Sequence, residues 1–288
     1  RSLMQDGSGE EPGFKDPHTG TWDLRPHASR IQHINESALK TWRQVTEASD
    51  WCSTPMVSTV NSAVSQTLAT LATRPRIMSL NLQFSSGWHE TSDFEKGRFK
   101  KAWGPASWND AILQGPHLYI LAPLYKQPNE SMRHNQDWTS TDFEALLASA
   151  EPVTQYKPAG DRATYDRLYT HWDNHSALEY YRVAWRNMAP LTGERTLVPS
   201  IIPTGAAHLQ SVTSTSTPMR SMHFTPMIAG VSSALISDFM IRVSGRGHIN
   251  GPDFSLLPSL DMRHPFTTAI ILRTLRLNCI TDAYADLW

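Results

Sequence analysis

Hydrophobic residues recur along this chain at helical spacing in some segments and at strand spacing in others, without regular alternation of the two. Amphipathic helices repeat an apolar residue every three or four positions, whereas buried strands are short apolar or alternating runs. These patterns predict helices over residues 29–47, 58–72, 142–150, 177–188 and 265–288, a helix beginning at about residue 161, and a helix passing into a strand over 229–243. They predict strands over 77–84, 118–124 and 196–202, and a loop over 213–218. Because no strict βαβ order appears, we expect an α+β fold of mixed helices and short sheets with a helical C-terminal part.

A polar stretch interrupted by prolines separates two parts of the chain that are richer in apolar residues. We therefore divide the sequence into an N-terminal α/β subregion (1–125), a polar connecting segment (126–160) and a C-terminal subregion ending in helices (161–288). Frequent glycine and proline predict a loop-rich start over residues 1–30. The chain begins at Arg1 and ends in an apolar helical pattern without a stop signal, so we expect it to be part of a longer polypeptide.

Charge balance and cysteine content restrict the class of protein. The formal net charge is −1, which argues against a protein that coats nucleic acid generally but allows a localised basic face. Cys52 and Cys279 form neither a disulfide framework nor a zinc site, so a reduced, cytoplasmic setting is expected. No apolar run approaches the roughly 20 residues of a membrane span, and no His-Glu-x-x-His or Cys/His cluster predicts a metal site.

Arginines alternate with aromatic residues in one stretch of the C-terminal subregion. Arg182, Arg186 and Arg195 carry planar guanidinium groups that suit phosphate oxygens or guanine edges. Tyr181 and Trp185 could support these arginines or stack on a base. An amphipathic helix leading into a buried strand, with its arginines in solvent, explains the same pattern. The residues alone leave both interpretations open.

One short motif has the outline of a catalytic loop. Adenine-N6 methyltransferases hold the target amino group with an Asn/Asp-Pro-Pro-Tyr loop, in which the polar first residue is essential and the aromatic residue stacks on a flipped base. The loop 122–125 reads Ala-Pro-Leu-Tyr and lacks that polar residue. Gly245 and Gly247 lack the third glycine of a nucleotide-binding turn. We therefore predict no catalytic residue in this chain.

A series of sequence blocks lies at residues 87–91, 115–117, 123–128, 180–188, 193–208, 238–239, 242–245, 257–258, 275–278 and 282–284. In order and spacing these blocks resemble one family, the large adenine-specific (N6) DNA methyltransferases of type IIG, BREX and DISARM bacterial defence systems. The similarity is to the region downstream of the catalytic domain, where target recognition takes place, and covers roughly two-thirds of the chain. Thr204 replaces the second proline of the family's Ile-Pro-Pro-Gly-x-x-His block.

The resemblance implies a DNA-binding target-recognition region that supplies sequence choice rather than methyl transfer, with residues 161–288 as the recognition subregion. Double-stranded DNA is the expected partner, together with an upstream methyltransferase domain of the same polypeptide and other defence-system subunits. S-adenosylmethionine is the expected cofactor of the full-length protein, bound outside this chain.

The residues expected to contact DNA are Arg182, Arg186, Arg195, Arg242, Arg246, His248, Tyr181 and Trp185. Gly245 and Gly247 would let the backbone beside Arg242, Arg246 and His248 approach phosphates closely. Two alternatives remain from the sequence: a protein-interaction module of a defence complex, and a degenerate methyltransferase domain.

Overall fold

The computed structural model describes residues 18–21, 31, 33–57, 59, 61–190, 192–218 and 221–288. Most of the predicted loop-rich start lies outside this part of the chain. The described residues form helices and short, mainly antiparallel sheets, which confirms the predicted α+β class and the helical C-terminal part.

The α-helices of the described residues are α1 (Glu36–Thr46), α2 (Ser62–Ala72), α3 (Ser92–Glu95), α4 (Arg162–Leu168), α5 (Phe224–Ser233), α6 (Leu235–Ser244), α7 (Gly251–Ser255) and α8 (Thr267–Asn278). The strands are β1 (Gln83–Ser85), β2 (Phe99–Pro105), β3 (Ile112–Leu113), β4 (Lys126–Pro128), β5 (Trp138–Ser140), β6 (Val153–Pro158), β7 (His171–Trp172), β8 (His175–Ser176), β9 (Arg182–Arg186), β10 (Pro199–Ile202), β11 (Ala207–His208) and β12 (Val212–Ser216).

The largest sheet is antiparallel and has the strand order β1-β12-β9-β10. Strand β9 is paired on both edges, so the helix predicted over 177–188 is wrong. A 3-10 turn (Ala177–Glu179) precedes the strand instead. Side chains alternate along a strand, which places Val183 and Trp185 in the larger hydrophobic core and Ala184 in a smaller one on the opposite face.

The larger core joins residues from distant parts of the chain. It includes Trp42 of α1, Leu68 of α2, Trp185 of β9, Leu275 of α8 and the later Tyr284. The predicted subregions 1–125 and 161–288 therefore share one hydrophobic core, and β1 from the first subregion extends the sheet of the second.

Smaller two-stranded sheets lie around the largest one: β2 with β6, β4 with β5, β7 with β8, and β3 with β11. Strand β2 is anchored by Phe99, whose ring packs edge-on against Tyr156 of β6 at a centroid distance of 5.3 Å. The indole of Trp88 donates a hydrogen bond of 2.7 Å to the Tyr165 hydroxyl in the same aromatic cluster. These contacts fix the β2–β6 pair on the body of the protein.

Other segment predictions also differ from the structure. Residues 77–84 contain a 3-10 turn before β1, residues 118–124 form an irregular loop, residues 142–150 are not helical, and residues 229–243 contain no strand. The predicted loop at 213–218 is largely β12, because its buried hydroxyls find partners inside the sheet: Thr215 donates to the Gln83 carbonyl at 2.7 Å. Five predicted elements are present with shorter bounds. They are the helices at 29–47, 58–72 and 265–288, the helix beginning at about 161, and the strand at 196–202.

Helices begin at residues whose side chains cap the first turn. Asn35, Asn61 and Asp161 each accept a hydrogen bond from a backbone N–H three residues ahead, at the starts of α1, α2 and α4. Within the described residues no single helix is long and apolar enough to cross a membrane. Helices α5 and α6 reach that length and hydropathy only together, as a pair bent by 63°.

A glycine next to β1 fixes how closely two segments approach. Gly87 has φ +65°, and a Cβ atom there would overlap the carbonyl oxygen and ring of the buried His208. We expect Gly87→Ala to lower the free energy of unfolding by roughly 3 kcal/mol, from the left-handed backbone and from this overlap together. Gly97→Ala is the matched control, because Gly97 has φ +67° with nothing within 4 Å of the added Cβ. It should lose only about 1 kcal/mol in urea denaturation; equal losses would contradict the overlap.

Candidate nucleic-acid interface

Three of the predicted DNA-contact residues lie inside the protein. Tyr181, Arg182 and Trp185 are buried. The Trp185 ring stacks on Phe254 at a centroid distance of 4.0 Å, and the Tyr181 hydroxyl donates to the backbone carbonyl of Ala283 at 3.1 Å. Tyr181 directly precedes β9, an interior strand covered on both faces, so burial contradicts the prediction that these three side chains contact DNA.

The guanidinium of Arg182 is enclosed together with neutral groups. It donates hydrogen bonds to the carbonyls of Tyr180, at 3.3 Å, and Ala206. Burial lowers the pKa of Arg182, and the nearby phenol of Tyr169 raises it. These bonds join β9 to the loop before β11, so the side chain stabilises the fold.

Arg195 and Arg242 flank one buried carboxylate. Nε of Arg195 lies 3.4 Å from Oδ1 of Asp238, and Nη2 of Arg242 lies 3.6 Å from Oδ2. Arg195 also donates a hydrogen bond to the backbone carbonyl of Ser233 at 2.6 Å, and Arg242 donates one to the carbonyl of Gly193 at 3.0 Å. Both arginine side chains are mostly buried. The prediction that they contact DNA is therefore corrected: they hold α6 against the segment before β10.

The last two predicted residues are accessible. Arg246 is half-exposed and forms an ion pair with Asp253. His248 is exposed, and its Nδ1 lies 3.1 Å from Oδ1 of Asn187. An isolated antiparallel bridge joins Met188 to His248, so the loop after α6 lies beside the end of β9.

Arg186, at that end of β9, belongs to a row in which two stacked aromatic rings lie between two cations. Its guanidinium carbon lies 6.0 Å from the ring centroid of Tyr119. Tyr119 stacks on Tyr125 at 4.7 Å, and Nζ of Lys126 lies 5.5 Å from the Tyr125 ring centroid. We call these four residues the cation–aromatic ladder. Cation–π contacts of this kind hold the charged groups in place without neutralising them.

Backbone geometry holds the ladder together. Nε of Arg186 donates to the carbonyls of Gly115 and Leu118, both at 2.9 Å. Burial lowers the pKa of Arg186, and Tyr125 and Tyr119 raise it. Between the two tyrosines Leu121 adopts a left-handed backbone with φ 51°, uncommon for a branched residue, and its N–H donates to the Pro199 carbonyl at 2.8 Å. This turn brings Tyr119 and Tyr125 into the stack.

The charged ends of the ladder have no acidic partner. No carboxylate in the described parts of the chain forms an ion pair with Lys126 or Arg186, and the hydroxyls of Tyr119 and Tyr125 have no hydrogen-bond partner there. The pKa of Tyr119 is raised by burial first and then by the charge of Glu194. The lysine ammonium, the arginine guanidinium and the tyrosine hydroxyl are all groups that bind phosphate oxygens.

The antiparallel pair β2–β6, which we call the ribbon, carries further cations. Lys100 lies directly opposite Lys157 in the register, and Lys101 opposite Tyr156. Nζ of Lys157 donates to the carbonyl of Pro105 at 2.8 Å, whereas Lys100 and Lys101 are exposed. Among the residues the structure describes, none of the three lysines forms an ion pair. Like charges directly opposite in a sheet repel, so this arrangement favours a bound anion.

A cleft of about 730 Å³ lies between the ribbon and the β4–β5 hairpin. Its lining includes Glu90, Lys101, Trp103, Gln114, Glu130, Met132, His134, Asn135, Trp138, Gln155, Tyr156 and Ser211. The Tyr156 hydroxyl donates to Glu90 at 2.9 Å, and burial raises the pKa of Tyr156 to about 12. The carbonyl of Gly115 accepts the hydrogen bond from Arg186, and Gly115 follows Gln114 of the cleft in the sequence. The ladder and the cleft are therefore neighbours.

The described residues contain no candidate metal centre, and the loop 122–125 has a structural role. No group of three or more His, Cys, Asp and Glu side chains among them could hold a metal ion. The loop 122–125 instead supplies a structural turn, in which the N–H of Ala122 donates to the Ser200 hydroxyl at 3.0 Å. Its aromatic residue, Tyr125, stacks on Tyr119.

Neither a protein-family model nor a curated protein matches this chain. The resemblance to adenine-specific DNA methyltransferases therefore rests on the sequence blocks alone.

The structure identifies accessible cations and aromatic residues that the sequence did not indicate as a group. Of the predicted contacts it keeps Arg186, Arg246 and His248 at or near the surface. It adds six residues that no sequence pattern linked to them, namely Lys100, Lys101, Tyr119, Tyr125, Lys126 and Lys157. The tyrosine and lysine at 125 and 126 belong to a block of the family resemblance, which was the one available signal.

Proposed function

We propose that this chain binds double-stranded DNA and serves as the target-recognition part of a bacterial adenine-N6 DNA methyltransferase used in restriction–modification or phage defence. In this proposal the chain supplies DNA binding and sequence choice. The methyl transfer, with S-adenosylmethionine, belongs to an upstream domain of the same cytoplasmic polypeptide, and other defence subunits are further partners.

One observation carries the DNA-binding proposal: cations from four separate strands lie on neighbouring elements without acidic partners among the described residues. They are Lys100 and Lys101 of β2, Lys126 of β4, Lys157 of β6 and Arg186 of β9. A two-stranded antiparallel ribbon has the dimensions that fit the DNA major groove. Such a ribbon with lysines, beside a row of phosphate-binding groups, supports contact with a duplex rather than with a neutral protein surface.

We expect removal of two of these charges to weaken duplex binding and to flatten its dependence on salt. Each lost phosphate contact lowers the slope of log affinity against log salt concentration by about one. The double variant Lys100→Gln/Lys126→Gln should therefore lose about two units of slope. At low salt it should lose at least about an order of magnitude in affinity. Fluorescence anisotropy with a labelled duplex over a series of salt concentrations measures both quantities.

The matched control removes two charges that already have partners. Lys40→Gln/Arg263→Gln changes the net charge equally, but Lys40 pairs with Glu36 at 2.6 Å and Arg263 with Asp261 at 3.1 Å, away from the ladder and the ribbon. Equal losses in both double variants would show only a response to net charge and refute the localised interface.

Two further outcomes would reject the proposed function. If the native chain binds no duplex at low salt, the protein-interaction module becomes the better description. If the chain alone transfers a methyl group from S-adenosylmethionine to DNA, it is a catalytic domain and the assignment of recognition alone is wrong.

A further inference from the structure

The cleft beside the ribbon has two tryptophans whose orientation is fixed. Trp103 is 44% exposed, and its indole N–H already donates to the carbonyl of Pro128 at 2.8 Å. Trp138 lies opposite Pro128 in the β4–β5 register, and its ring packs edge-on against the buried His117 at 4.8 Å. Because its polar atom is satisfied inside the protein, Trp103 offers the cleft an apolar, planar surface. Such surfaces bind flat aromatic ligands by stacking.

The polar groups of the cleft suit the edge of a nucleobase. The amides of Gln114, Asn135 and Gln155 line it, and each amide side chain has both donor and acceptor atoms. Nucleobase edges present the same mixture of donors and acceptors. The acidic residues of the lining are Glu90, which is bound by Tyr156, and Glu130.

The size of the cleft and one lysine at its edge fit a nucleotide, while the lining also contains the carboxylates of Glu90 and Glu130. The volume of about 730 Å³ lies within the range of roughly 300–1,000 Å³ that holds small organic ligands in proteins. Lys101 of the ribbon lies at the cleft without an ion pair to any described residue, so its ammonium group is available for the phosphate of a bound nucleotide. A hexose would also stack on a tryptophan, but it would leave this charge without use.

We propose that the cleft receives one unstacked nucleobase of the bound DNA, which stacks on Trp103 while Lys101 contacts its phosphate. The inference rests on the proposed DNA binding and adds to it a preference for DNA in which a base is unpaired. Extruding a base from a perfect duplex costs a few kcal/mol, and an unpaired base avoids most of that cost.

The test compares a perfect duplex with the same duplex carrying one bulged base, by fluorescence anisotropy. We expect the native chain to bind the bulged duplex about tenfold more tightly, which is the size of one stacking contact. Trp103→Leu should remove this preference and keep the affinity for the perfect duplex. Trp103→Phe, which retains an aromatic face, should keep most of the preference. The control Trp288→Leu removes a tryptophan that is 56% exposed outside the cleft, and should behave as the native chain does.

The outcomes separate this inference from the proposed function. Tight duplex binding with no preference for the bulge, or a preference that Trp103→Leu retains, overturns the cleft inference and leaves duplex binding intact. If no DNA binds, the proposed function fails, and quenching of tryptophan fluorescence by deoxynucleoside monophosphates tests the cleft independently. Quenching that Trp103→Leu abolishes supports a base site, whereas no quenching, or equal quenching by a hexose, overturns it.

Discussion

Replacing Asp238 by alanine is expected to lower the free energy of unfolding by about 3–5 kcal/mol, because it leaves two mostly buried arginines without their counter-charge. Oδ1 of this fully buried carboxylate also accepts the backbone N–H groups of Thr196 and Leu197, at 2.7 and 2.8 Å. The side chains of Arg195 and Arg242 are only 13% and 11% exposed, so solvent compensates little for the lost carboxylate. Urea denaturation followed by tryptophan fluorescence measures the change.

Two further variants show which part of this loss is electrostatic. Asp238→Asn retains an acceptor for the two N–H groups and removes only the charge, so we expect a smaller loss than with alanine. Asp261→Asn removes an exposed carboxylate paired with Arg263, and should leave the midpoint of unfolding nearly unchanged. A stable Asp238→Ala protein would mean that Arg195 and Arg242 do not depend on the carboxylate, which contradicts the role inferred for them.

Acidification from pH 7 to pH 5 is expected to destabilise the protein by about 4 kcal/mol, through two buried histidines. Burial lowers the pKa of His117 to about 4, and burial together with the charge of Arg182 lowers the pKa of His208 to about 3. Both pKa values lie below the 6.5 of an ordinary histidine. At a pH between the lowered value and 6.5, the unfolded chain therefore binds a proton at each histidine that the folded chain does not bind. This stabilisation is complete above pH 6.5 and decreases as the pH falls, by about 2 kcal/mol for each histidine at pH 5.

Burial is the main cause of both lowered pKa values, and the hydrogen bonds show how each neutral ring is held. Nδ1 of His117 accepts the N–H of Gln114 at 2.9 Å, and Nε2 of His208 lies 2.7 Å from the Ser214 hydroxyl. His117→Asn and His208→Asn should each be less stable at pH 7 but lose about 2 kcal/mol less than the native chain on going to pH 5. Urea denaturation at both pH values gives these differences, and a native chain equally stable at pH 7 and pH 5 would contradict them. The fold also lowers the pKa of some carboxyl groups, such as that of Asp261, from an ordinary value of 3.8. These groups change protonation below pH 5 and do not affect the comparison of pH 7 with pH 5.

The sequence located several elements correctly because their signals are local. Helices α1 and α4 begin at Asn35 and Asp161, whose side chains cap the first turn, and their apolar faces repeat at helical spacing. Strand β10 is a compact apolar run between turn residues. Strand β12 was missed because its serines and threonines are polar, and their hydroxyls find partners on segments distant in the sequence, such as the carbonyls of Gln83 and Tyr181.

The arginine stretch shows where local pattern stops being informative. Arg182 and Arg186 lie on one side of a helix, since they are four residues apart, but they also lie on one face of a strand. The alternation of Tyr181, Val183 and Trp185 fits the strand, yet strands β10 and β12 that pair with β9 come from later parts of the chain. No local signal decided between the two structures.

By itself the sequence determined the α+β class, the main helices and the presence of arginine-rich and aromatic segments, because these follow from spacing and composition within short windows. Only the tertiary structure decided which cations are neutralised and which remain available. Asp238 lies 43 residues after Arg195 and reaches it only once α6 has packed beside β10. Arg186 joins Tyr119 and Tyr125 across more than 60 residues of chain, and Lys100 meets Lys157 only when the ribbon pairs. Electrostatic partners act through space and not along the sequence, which is why the surface with unpaired charge could be seen only in the folded chain.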